Sequence, residues 1–129
     1  MHIIRLKHPW NKLAANAMEP SRVNVPEIAI HDDATEEPIP QATYTRFFNC
    51  PSGLDQDSKV LLSIGGWQGR LESILLNGEP LEHGNARAEF DITSRLSRRN
   101  ELAITLASET NTECRLSGEV TLVIDAQVD

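Results

Sequence analysis

The stretch Val60-Leu-Leu-Ser-Ile-Gly-Gly-Trp67 decides the fold, together with its continuation through Ser73–Leu81 and Phe90–Thr93 to Asn100–Leu106. At both ends of this stretch, large apolar residues recur at every second position: Val60, Leu62 and Ile64, then Leu102, Ile104 and Leu106. A period of two buries one face of a strand and exposes the other. The pattern is typical of an antiparallel sheet packed against a second sheet.

The hairpin signal Asn77-Gly78 lies between two apolar runs, and both residues tolerate the positive φ of a type I′ turn. Turn signals recur about every 8–12 residues along the chain and separate about eight or nine short strands. We therefore predict an all-β fold, an antiparallel β-sandwich. Its predicted core is Val60, Leu62, Ile64, Ile74, Leu76, Phe90, Ile92, Leu102, Ile104, Leu106, Val120 and Leu122.

The N-terminal third of the chain has weaker sequence signals for regular secondary structure. His2–Leu6 predicts an edge strand, and Leu13–Met18 predicts a loop or a single turn because it is too short for a stable helix. Arg22–Ile30 alternates apolar residues around Pro26, which indicates an edge strand or a bulge. The acidic, proline-rich segment His31–Pro40 predicts an exposed loop. Further along, Asp91–Asn100 predicts one helical turn.

Composition predicts one globular domain over residues 1–129, with 40% hydrophobic and 24% charged residues. The net charge of −7 argues against nucleic-acid and anionic-membrane partners, which need a basic surface. We see no apolar run of transmembrane length and no signal-peptide core, which predicts a cytoplasmic protein.

Two cysteines, Cys50 and Cys114, do not form a disulfide framework. Cys50 alternates in phase with Phe48, so we predict a buried free thiol. A bridge between the two cysteines requires that their strands be neighbours.

An ordered series of motifs resembles a known family. The series is Tyr44-x-Arg46-x-Phe48-x-x-Pro51, Asn77-Gly78, Asp91-Ile-Thr93 and Asn100-x-Leu-x-Ile-x-Leu106. It resembles the sugar-binding, galactose-binding-like domain of family 2 glycoside hydrolases, which are β-galactosidases, β-glucuronidases and β-mannosidases. The resemblance covers residues 42–125, whereas residues 1–41 add N-terminal strands and a loop. It implies a jelly-roll topology in a stand-alone, non-catalytic module, since catalysis in that family belongs to a separate barrel domain.

The candidate ligand-binding residues are Trp67, Arg70, Tyr44 and Arg46. Trp67 lies in a glycine-flanked loop outside the alternating pattern, where an aromatic face could stack on a sugar. The alternative is that Trp67 closes the edge of the sandwich. Trp10 is expected to cover one end of a sheet, because large aromatic side chains dominate burial in small domains.

No spacing in the sequence indicates catalysis, a cofactor or a metal centre. The carboxylates occupy turn and alternating strand positions, where solvated edge charges explain them, so we predict that the chain is not an enzyme. His31-Asp32-Asp33 could hold a hard cation, but an exposed acidic loop produces the same string. A basic turn could bind an anionic group or carry solvated charges only: Arg95, Arg98 and Arg99.

Two functions follow. The first is a carbohydrate-binding module. The alternative is a structural or protein-interaction β-sandwich without a small-molecule ligand, which pairs with itself or with another chain. Three apolar residues out of phase with the core motivate this alternative: Leu61, Leu75 and Val123.

Overall fold

The computed structural model describes residues 2–15, 18–27, 41–51, 53–54, 57–82, 88–108 and 114–126. These residues form ten β-strands and one 3₁₀ turn, Thr93–Arg95. The strands are β1 His2–Arg5, β2 Trp10–Ala14, β3 Ser21–Val23, β4 Gln41–Asn49, β5 Ser58–Ile64, β6 Arg70–Leu76, β7 Glu79–Pro80, β8 Ala88–Asp91, β9 Arg99–Ala107 and β10 Val120–Ala126. Within these ranges, no helix has the length and apolar character needed to cross a membrane.

The strands form two sheets, with the orders β1-β10-β5-β8 and β3-β2-β4-β9-β6-β7, and every pairing is antiparallel. When the β2–β3 pair is set aside, the other eight strands follow jelly-roll topology. The first, eighth, third and sixth of them form one sheet, and the second, seventh, fourth and fifth form the other. The predicted antiparallel sandwich and its jelly-roll topology are confirmed. The pair β2–β3 extends the edge of the larger sheet next to β4.

The predicted core is confirmed, except that Phe90 is half-buried. Phe90 lies on β8, an edge strand whose side chains have a neighbouring strand, β5, on one side only. The predicted hairpin joins β6 to β7, where Asn77 and Gly78 have φ values of 54° and 83°. Local turn chemistry and alternation therefore determine this half of the sandwich.

The N-terminal expectations need correction at β2. The segment predicted as a loop from Leu13 onward continues a strand that pairs with both β3 and β4. Its alternation is visible from Trp10, which is fully buried and whose Nε1–H donates to the Leu6 carbonyl oxygen over 2.7 Å. Trp10 is thus a fully buried core residue at the first position of β2. Tertiary pairing overrides the weak local preference of this segment.

Other early predictions divide. Of the strand predicted over Arg22–Ile30, the described residues 22–27 show an edge strand at Arg22 and Val23 only, as part of β3. Residues 28–40, including His31-Asp32-Asp33, lie outside the described residues. The predicted turn after Asp91 is confirmed as 3₁₀. Neither cysteine is in a disulfide. Cys114 is buried, whereas Cys50, which was predicted to be buried, is half-buried just after β4 because the strand has ended there.

The loop after β5, which contains Gly65 and Gly66, makes a close backbone contact with the segment before β10. The Gly118 amide donates to the Gly66 carbonyl oxygen over 2.8 Å. A Cβ on Gly118 would lie 2.1 Å from the Gly66 nitrogen, so only glycine fits there. This contact fastens the Trp67 loop to the segment that leads into β10.

Candidate ligand-binding site

Tyr44, one of the predicted site residues, lies wholly inside the sandwich and belongs to a polar network. Its hydroxyl donates to Glu27 Oε1 and accepts from the Leu116 backbone N–H over 3.3 Å. Lys12 Nζ lies 2.9 Å from Glu27 Oε1 and 3.1 Å from Oε2. The network joins β2, β4 and the segment after β3, so Tyr44 presents no surface to a ligand.

The electrostatics of this network keep Tyr44 protonated. Burial raises the pKa of the Tyr44 hydroxyl, and its hydrogen bond to Glu27 and the charge of that carboxylate raise it further. The Lys12 ammonium, whose residue is 8% exposed, lies 5.3 Å from the centre of the Tyr44 ring and supplies the counter-charge for Glu27. A buried carboxylate is tolerated here because it is both paired and hydrogen-bonded.

Arg46 follows Tyr44 on the same face of β4 and is half-buried. One Nη1–H donates to the Pro9 carbonyl oxygen over 3.2 Å, and Nε is buried with no hydrogen-bond partner among the described residues. Burial lowers the pKa of the Arg46 guanidinium. The side chain therefore faces the interior and Pro9, which directly precedes β2.

Trp67 and Arg70 lie at the opposite end of the larger sheet from Arg46. Trp67 is half-buried and packs against the core, while Arg70 is exposed and its Nε donates to Glu72 over 2.9 Å. This arrangement favours the alternative in which Trp67 closes an edge, although part of the ring remains accessible.

The four predicted residues do not converge on one surface. Arg46 is opposite Leu102 on β9 and Arg70 is opposite Ala107, so the two arginines lie roughly 17 Å apart along the strand direction. Tyr44 is buried between these levels. Contact of Arg46, Trp67 or Arg70 with a sugar stays a prediction.

A groove of about 490 Å³ lies elsewhere, between the edge strands β7 and β8 of the two sheets. This volume falls within the range of small-molecule sites. Buried Leu81, half-buried Phe90 and exposed Pro80 supply its apolar lining. The polar lining consists of Glu82, Glu89, Asp91 and Arg95.

Two of the polar groups are held in place. Asp91 Oδ1 accepts from the Thr93 N–H over 3.0 Å and from the Thr93 hydroxyl over 2.6 Å, and these bonds lower the pKa of Asp91. Arg95 Nη1 donates to the Pro80 carbonyl oxygen over 3.0 Å. The groove thus presents oriented acceptors and an oriented donor beside an aromatic ring.

Sequence reasoning missed this groove. It explained the acidic residues as solvated edge charges and Arg95 as part of a basic turn, and no spacing indicates that they meet. They meet because jelly-roll connectivity places β7 and β8, which are adjacent in the chain, at the edges of different sheets. Across the described ranges, no cluster of histidine, cysteine and acidic residues could hold a metal.

Comparison of the sequence with protein-family models and with curated proteins gives no match. The structure is similar to β-D-mannosidase from Dictyoglomus thermophilum, with a TM-score of 0.74, 15% identity, and coverage of 95% of this chain and 22% of that one. For β-glucuronidase from Bifidobacterium dentium these values are 0.70, 17%, 94% and 29%. For a glycosyl hydrolase family 2 member from Bacteroides cellulosilyticus they are 0.72, 15%, 96% and 21%.

At these identities the similarity concerns the fold. It extends over nearly the whole of this chain but over less than a third of each enzyme. The resemblance predicted from the sequence motifs is confirmed at this level: the chain has the β-sandwich fold of one domain of family 2 glycoside hydrolases.

Proposed function

We propose that the chain is a non-catalytic module that binds carbohydrate in the groove between β7 and β8. The observation that carries the proposal is the meeting of Phe90, three carboxylates and the Arg95 guanidinium around a space of about 490 Å³. Sugars offer apolar C–H faces and hydroxyls that both donate and accept hydrogen bonds. An aromatic ring beside acceptors and a donor suits that chemistry.

The groove needs little reorganisation to bind. Thr93 orients Asp91 through two hydrogen bonds, and the Pro80 carbonyl oxygen orients Arg95. Groups already held in place lose less conformational entropy when a ligand arrives. The names of the fold neighbours, which include a β-mannosidase and a β-glucuronidase, support a sugar as the ligand.

The absence of catalysis is part of the proposal. Glycoside hydrolysis needs a general acid whose pKa is raised, whereas the pKa of Asp91 is lowered by its hydrogen bonds to Thr93. The chain also spans less than a third of the enzymes that it resembles. We expect no release of aryl alcohol from aryl glycosides by the purified chain.

The test is isothermal titration with methyl glycosides of glucose, galactose and mannose, supported by thermal shift. Arg95→Ala should weaken binding about tenfold or more, because it removes the oriented donor. Trp67→Ala, which addresses the location predicted from sequence, should leave the affinity unchanged. Loss of binding in Trp67→Ala alone would move the site to the Trp67–Arg70 surface. No binding by any glycoside to a well-folded sample would refute the function.

The alternative function, a protein-interaction module, has its own supporting observation. Ile3, Val123 and Leu61 are cross-strand neighbours on β1, β10 and β5, and they form an apolar row on the outer face of the smaller sheet. Ile3 is 45% exposed, and the other two are half-buried. Leu75 does not join this row, because it lies on the larger sheet.

The oligomeric state tests whether this apolar row mediates self-association. If the apolar row binds a second copy, light scattering will detect a concentration-dependent dimer, and Val123→Lys will abolish it. A monomer at all concentrations would exclude self-association through this row.

We also propose a cytoplasmic location. Cys50 is in no disulfide, which is usual for thiols in a reducing compartment and supports this location.

A further inference from the structure

We infer that the groove selects sugars that are neutral or carry an amine, and that it rejects uronic acids. The inference rests on the proposed function and names the chemical class of ligand for the same site. It follows from the balance of charge around the groove, which the neighbours' names alone do not indicate.

Three carboxylates line the groove, on Glu82, Glu89 and Asp91, against the single guanidinium of Arg95 among the lining residues that the structure describes. Asp91 stays ionised at neutral and mildly acidic pH, because hydrogen bonds from Thr93 lower its pKa and the nearby charge of Lys59 lowers it further. Among the described lining residues, a ligand in the groove therefore meets three carboxylates and one guanidinium, with Lys59 acting on Asp91 from nearby.

Arg95 does not reverse this balance. Its Nη1 already donates to the Pro80 carbonyl oxygen, so part of the donor fork is occupied. A carboxylate gains most from arginine when it takes two parallel hydrogen bonds from a free fork. A uronate carboxylate in the groove would lose its hydration and gain a guanidinium whose donors are partly occupied. It would also lie beside other carboxylates, which repel it, so its binding is unfavourable.

An amine reverses the sign of the interaction. Glu82 and Glu89 are exposed and form no ion pair within the described part of the chain. The ammonium group of an amino sugar can approach either carboxylate without displacing an existing partner. This attraction acts near the surface, so salt should screen it.

The closing experiment compares three methyl β-glycosides that differ by one group: glucoside, glucuronide and 2-amino-2-deoxyglucoside, together with the matching galacto series. Titrations at pH 7 should show the glucuronide binding at least about tenfold more weakly than the glucoside, and the amino sugar binding several-fold more tightly. Raising the salt concentration from about 20 to 500 mM should shrink both differences, since the Debye length shortens.

The variant Glu82→Gln/Glu89→Gln should reduce the difference in affinity between glucoside and glucuronide. Its affinity for the glucoside should stay within about threefold of the wild-type value. Glu119→Gln, which removes an exposed carboxylate outside the groove, is the matched control and should change neither. Equal affinity for glucoside and glucuronide would overturn the inference and leave the carbohydrate module standing. No binding in either series would overturn both. If the double variant discriminates between glucoside and glucuronide as the wild type does, Glu82 and Glu89 do not cause the selectivity, and the inference is overturned.

Discussion

Replacing Glu27 by glutamine should lower the free energy of unfolding by about 3 kcal/mol, because it leaves the Lys12 ammonium inside the sandwich without its counter-charge. The side chains of Lys12 and Glu27 are 9% and 16% exposed, and Tyr44 donates to the same carboxylate. Breaking a fully buried pair costs about 3–5 kcal/mol, and the residual exposure of Glu27 favours the lower end. In a domain of 129 residues this corresponds to a loss of about 10–15 °C in Tm.

A double-mutant cycle separates the charge from packing. Lys12→Met/Glu27→Gln buries no charge, so it should be more stable than Glu27→Gln alone, with a coupling energy of at least about 1.5 kcal/mol. Urea unfolding followed by tryptophan fluorescence reports on it, because Trp10 is fully buried. The matched control is Glu119→Gln.

The Arg5–Glu119 pair is more than half exposed on both sides, so this control should cost at most about 0.5 kcal/mol. If Glu27→Gln costs no more than Glu119→Gln, the buried pair contributes no stability and the reasoning fails.

Three further predictions concern other parts of the fold. Folded Tyr44 keeps its proton above pH 10, whereas the unfolded side chain loses it. The free energy of unfolding of the wild type should therefore fall with pH more steeply than that of Tyr44→Phe, by up to about 1.4 kcal/mol per pH unit. If urea unfolding from pH 9 to 11.5 gives parallel pH dependences for the two proteins, this prediction is wrong. Gly118→Ala should cost more than about 3 kcal/mol by clashing with the backbone of Gly66, whereas Gly66→Ala, whose Cβ would meet its nearest neighbour at 3.9 Å, should melt close to wild type. Because hydrogen bonds from Thr93 lower the pKa of Asp91, Asp91→Asn should be less stable than wild type at pH 7. The stabilities of the two proteins should converge in acid unfolding below about pH 4. A difference in stability that does not change with pH would exclude a stabilising role for the ionised Asp91 carboxylate.

Much of the sandwich could be predicted because strand alternation is local information. Val60, Leu62 and Ile64 bury one face of β5, and Leu102 on β9 faces the same core. The burial of Phe90 was overestimated, because the alternation of apolar residues does not show which strands lie at the edge of a sheet.

The N-terminal strand β2 could not be predicted from its own residues. It includes Leu13 and Ala14, which favour no strand locally, and its hydrogen bonds come from β3 and β4. From its residue type alone, Lys12 would be assigned to the surface. It is buried because its ammonium group pairs with the Glu27 carboxylate and lies over the Tyr44 ring.

The sequence by itself determined the two-layer β architecture, the Asn77-Gly78 hairpin and the likeness to a domain of family 2 glycoside hydrolases. These features depend on neighbours a few residues apart, whose side chains and turn geometry express themselves in any β fold. Only the tertiary structure decided that Tyr44 and Arg46 face the interior and that Phe90, Asp91 and Arg95 meet Glu82 across a groove. Strand order brings these groups together, and the cross-strand pairing that creates that order joins segments far apart in the chain.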